Sequence, residues 1–113
     1  MKFVRVYTGS DGESHIEQMN FNFSEREGTR TIAEHASGVT FAQRSEGSFL
    51  DFHNAPQRQY VLYLTAGVEI GVGDGSAMLM DPGDVLLAED TTGHGHTSRV
   101  TQGGLCAFVP VKK

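Results

Sequence analysis

At 113 residues the chain has room for one domain around one core and is short for two. Its formal charge of −5, with no Lys/Arg cluster as a local exception, argues against nucleic acid or an anionic membrane as main partner. No apolar run approaches the roughly 18 residues of a spanning helix, so a membrane partner is not expected and a small-molecule ligand is.

In chain order, "MKFVRVYTGSDGESH" gives a short apolar-rich strand and then a Gly/Ser/Asp turn, without the apolar stretch of a secretory signal; a cytoplasmic protein is expected. In "HIEQMNFNF", residues 15 to 23, the odd positions His15, Glu17, Met19, Phe21 and Phe23 form the face expected to enter the core, with His15 and Glu17 at its polar end. "TIAEHAS", residues 31 to 37, is the one helical candidate and is too short to hold alone, so a turn or single helical turn is expected. "GVTFAQ" and "SFLDFH" follow as strands. In the second, Asp51 and His53 share one face and Leu50 and Phe52 the other, and pattern alone leaves open which is inside.

"QYVLYLT" is apolar on both faces over residues 60 to 64, which predicts a second sheet on one side and a partner subunit, as in a homodimer, on the other. "VEIGV" and "SAMLM" are joined by "GDGS", a Gly/Asp hairpin turn. "DVLLA", "HTSRV" and "LCAFVPV" complete the series. The single cysteine, Cys106, lies in the last of these and is expected to be a buried, inert thiol. Ten short runs punctuated by 14 glycines predict an all-β sandwich or barrel, one domain over residues 1–113.

An open catalytic metal site needs about three imidazole or carboxylate ligands. Two segments offer such groups, "GSFLDFHNAPQRQYVLYLTAG" and "GDVLLAEDTTGHGHTS". In the first, Gly47 is followed at fixed spacings by His53, Ala55, Gln59 and Gly67; in the second, Gly83 is followed by Glu89, Thr91, His94 and Ser98. Over about residues 47–98 this resembles the two motifs of the cupin superfamily, specifically small single-domain bacterial cupins. Ala55 and Gln59 stand where the first motif has its second histidine and its glutamate. Glu89, Thr91 and Ser98 replace the proline, glycine and asparagine of the second.

The resemblance implies a cupin jelly-roll β-barrel of two antiparallel sheets. It also implies one divalent transition metal (Fe, Mn, Ni, Zn or Cu) inside the barrel, held here by His53, Gln59 and His94. His96 enters in one of two ways. If residues 94 to 98 are extended, His94 and His96 share a face and can chelate one metal together; if "TTGHGH" is a longer loop, His96 alone takes the motif position. Gln57 and Arg99 are candidates for orienting an anionic group at the mouth, His15 for a site pair with Glu17, and Tyr63 for a ligand contact or a packing residue. The expected activity is that of a metal-dependent dioxygenase or isomerase. The alternative, motivated by Ala55 and Gln59, is a non-enzymatic ligand-binding or sensory cupin with a degraded metal site.

Overall fold

The computed structural model describes residues 1–24 and 28–112. Strands form at all ten apolar runs: β1 (Phe3–Thr8), β2 (Ser14–Gln18), β3 (Thr40–Arg44), β4 (Phe49–His53), β5 (Gln59–Tyr63), β6 (Gly67–Gly71), β7 (Ala77–Met80), β8 (Val85–Ala88), β9 (His96–Gln102) and β10 (Gly104–Pro110). Among the described residues there is no helix, and so none long and apolar enough to cross a membrane. The strands make two sheets, one of six in the order β2-β1-β8-β5-β10-β3 and one of four in the order β4-β9-β6-β7.

Strand alternation builds the core between them. Val4, Val6, Val61 and Leu86 of the larger sheet meet Val68, Ile70, Met80 and Val100 of the smaller, and all are buried. Cys106 lies fully buried in this layer, as expected of an inert thiol. The "GDGS" turn closes the β6–β7 hairpin, with the Val72 amide donating to the Ser76 carbonyl and Gly75 at φ 90°.

Four expectations change. The sheets are not wholly antiparallel, because β1 runs parallel to β8. These strands are distant in sequence, so no tight hairpin constrains their direction. The faces of β2 are reversed: Ile16 packs on the core, while His15 lies beside Tyr7 on the outer surface. Beyond Gln18 the chain leaves the ladder, and Phe21 stacks on Phe3 with ring centroids 4.2 Å apart; Met19 and Phe21 therefore cover the outer face instead of entering the core. Residues 31 to 37 form no helical turn, and Ala36 bridges Val111.

This outer cover also alters the reading of β5. Tyr60 and Leu62 point away from the core and are partly roofed by Phe21 and Ile32 of the same chain. An apolar row nonetheless crosses five strands on this face, Phe3–Val85–Leu62–Ala107–Phe41, and Phe41 at its end is 66% exposed.

Beside the row, Glu89 bridges two guanidiniums, accepting from Arg5 Nε and, at 2.7 Å, from Arg58 Nε. Burial pushes the Glu89 carboxyl up, and the two arginines outweigh it, so it titrates below the usual range. A depressed folded pKa contributes stability fully above the unfolded value of about 4.3, and this is lost as pH falls through the folded value. Glu89→Gln is expected to cost about 1–2 kcal/mol in urea unfolding at pH 7, because both arginines lose a charged acceptor. The difference from wild type should shrink below about pH 4; a gap independent of pH would contradict the assignment.

Candidate functional site

Between the sheets lies a cavity of about 360 Å³, a volume typical of small-molecule sites. Val61, Val68, Ile70, Leu86 and Phe108 give it apolar walls. Its exposed lining residues, Thr40, Leu50 and Pro56, lie on or just after β3 and β4, the edge strands of the two sheets, so the mouth opens along their seam.

Two histidines enter this cavity from the smaller sheet. His53 at the end of β4 is directly opposite His96 at the start of β9, and their ring centroids are 4.4 Å apart at 58°. The His53 Nδ1 lies 2.8 Å from the Asp51 carbonyl oxygen. A carbonyl only accepts, so Nδ1 carries the proton and Nε2 keeps its lone pair. His96 has the same arrangement with a stronger partner: its Nδ1 is 2.6 Å from Asp90 Oδ2. Asp90 is fully buried, and its Oδ2 also accepts from Ser14 Oγ at 2.7 Å. Among the described residues Asp90 Oδ1 has no partner.

The loop from 90 to 95 sets this dyad in place. The Ala55 amide donates to the Asp90 carbonyl, and the Asn54 side chain donates to the carbonyls of Thr92 and Gly93 at 2.9 and 3.0 Å. Backbones approach closely here, since a Cβ on Gly95 would lie 2.2 Å from the His53 carbonyl oxygen and one on Gly93 2.3 Å from that of Gly12. Both glycines have positive φ, 86° and 76°.

Gly95 separates the two histidines of "GHGH". The i, i+2 rule for a shared face holds only within an extended strand, and β9 begins at His96. His94 stays in the turn, where it stacks on Phe52 at 3.9 Å and its Nδ1 pairs with Glu13 at 2.8 Å. The structure thus brings together His53, Gln59, Tyr63 and His96 of the expected residues and leaves the rest outside the cavity. His15 pairs with Asp11 on the surface, Gln57 is exposed, and Arg99 lies outside over the Phe49 ring at 4.6 Å.

On the opposite wall, Gln59 and Tyr63 are buried, and neither side chain has a hydrogen-bond partner among the described residues. Burial, reinforced by Cys106, raises the Tyr63 hydroxyl far above its ordinary pKa, so it is a neutral phenol able to donate a hydrogen bond.

The donor chemistry does not match a divalent transition-metal centre. Two imidazole nitrogens are free, but the third candidate, Gln59, is a neutral amide, and the nearby carboxylate of Asp90 is turned onto His96 and Ser14. Among the described residues no group of three or more His, Cys, Asp or Glu is placed to hold a metal ion. A larger hollow, about 540 Å³, lies on the outer face, but it contains no histidine, and its charged residues Arg58 and Glu34 neutralise each other.

Neither a family model nor a curated protein matches the sequence. Among solved structures the fold is similar to that of protein NMB1881 from Neisseria meningitidis: 83% of this chain aligns with 100% of that one, at a TM-score of 0.52 and 11% identity. At this identity the likeness is one of fold alone.

Proposed function

We propose that the chain is a cupin-like jelly-roll barrel that binds a small organic molecule in its inner cavity and accepts a proton from it at His96. The observation that carries this reading is the Asp90–His96 pair at 2.6 Å, with a fully buried carboxylate behind an imidazole that lines the cavity. A carboxylate on Nδ1 fixes the tautomer, leaves Nε2 basic and offsets the charge that forms on the ring. In the step, a ligand C–H or O–H bond breaks, its electron pair stays on the ligand and the proton goes to Nε2. Return of the proton to a different ligand atom completes an isomerisation with no further reactant. The barrel assignment is supported by the cupin-like spacing of Gly47, His53, Gly67 and Gly83. Its metal chemistry is set aside because of the donor set described above.

Phenylacetone, a neutral ketone of suitable size with acidic C–H groups, is a direct probe in D2O. Deuterium is expected to enter its benzylic position faster than in buffer, and His96→Gln should return the rate to that of buffer. Binding of the probe with exchange only at the buffer rate would favour the second reading, a ligand-binding or sensory barrel. That reading is motivated by Ala55 and Gln59 at positions where the resemblance calls for metal ligands.

The protein is further proposed to be cytoplasmic and to pair as a homodimer through the apolar row ending at exposed Phe41. Phe41→Glu should then shift its sedimentation from dimer to monomer, and a wild-type monomer would contradict the pairing.

A further inference from the structure

The structure assigns a class to the ligand: an organic anion with an apolar body, its negative group held at the mouth by Arg44. This rests on the reading of the inner cavity as a ligand site. Arg44, at the end of β3, is the one formally charged residue in the lining, and no Asp or Glu lines the cavity among the described residues. Its guanidinium makes no hydrogen bond or ion pair with any described residue.

A shortage of acids does not explain this. The chain has 14 Asp and Glu against 9 Lys and Arg. Lys2 pairs with Asp81 and Asp84, Arg5 with Glu17 and Glu89, and Arg58 with Glu34 and Glu89. A half-buried guanidinium without a counter-charge is costly unless something else supplies one, and its planar fork matches a carboxylate. The neighbouring polar groups also favour an anion. The Tyr63 phenol, buried beside this cation, can donate but is held away from ionisation. The positive end of the cavity therefore lies at its mouth, and the apolar walls continue inward toward His96. Anion orientation thus belongs to Arg44 and not to Arg99, which faces outward.

The test titrates 15N-labelled full-length protein with phenylacetate and with its neutral isostere phenylacetamide, following the amides of β5 and β9. Phenylacetate is expected to bind about tenfold more tightly, as one charge-assisted pair allows. In Arg44→Met the preference should fall to about twofold or less, while phenylacetamide should still shift the same amides, which shows that the variant keeps its cavity. Equal binding of the two probes to wild type, or a preference that survives in Arg44→Met, would overturn the inference while leaving the cavity as a ligand site. If neither probe moves those amides, the cavity reading fails as well.

Discussion

Asp90→Ala is expected to destabilise the fold by about 2–4 kcal/mol, because two buried donors each lose a charged acceptor at about 1–3 kcal/mol. Asp90 has no exposed surface, and its Oδ2 accepts from both His96 Nδ1 and Ser14 Oγ. Alanine leaves both donors buried without an acceptor and opens a void between the 90–95 loop and β2. The loss should appear in urea unfolding as a lower midpoint with an unchanged slope. Asp90→Asn separates stability from chemistry. The amide fills the same space, so the variant should fold at a smaller cost, but its NH2 group can face His96 and favour the tautomer protonated at Nε2. Proton transfer is then expected to fall to the buffer rate while ligand binding persists. A loss below about 1 kcal/mol in Asp90→Ala would mean that the dyad is not the buried pair described here.

Gly95→Ala should cost about 3 kcal/mol or more and disable the site. The left-handed conformation at φ 86° costs an alanine about 1–2 kcal/mol. The added methyl would also sit 2.2 Å from the His53 carbonyl oxygen and 2.5 Å from its carbonyl carbon. Backbone cannot swing aside as a side chain can, so β4 must move away from β9, which adds about 1–3 kcal/mol of overpacking strain. The movement falls on the His53–His96 pair itself. Ligand binding followed by NMR and unfolding in urea check the two effects, and a variant of wild-type stability and affinity would refute the close approach. Gly75→Ala, with positive φ but open space around it, is the control and should lose only the conformational part.

The elements were legible because strand alternation is local. All ten apolar runs became strands, and their spacing already pointed to two layers. The faces of β2 were not legible. Met19, Phe21 and Phe23 extend the apolar pattern past the point where the chain leaves the ladder, and the register with β1 puts Ile16 inside instead. The site was half legible. His53 follows from motif spacing, but the choice between His94 and His96 depended on where β9 begins, which positive-φ glycines decide. Asp90 is only six residues from His96, but it faces that ring because the loop between them turns back, and its second donor, Ser14, is 76 residues away and meets it only in the fold. Arg44 follows directly after the "GVTFAQ" run and carries no signal in the sequence. Only the contrast with its paired neighbours, visible once the ion pairs were placed, singled it out.

The most direct test of the account is the protonation pattern of His96, read from two-bond 15N–1H correlations of the imidazole rings at neutral pH. A proton on Nδ1, a bare Nε2, and a shift of the Nε2 resonance when phenylacetone occupies the cavity are expected. A ring protonated at Nε2, or an Nε2 signal unmoved by the bound ketone, would contradict a dyad that faces its ligand.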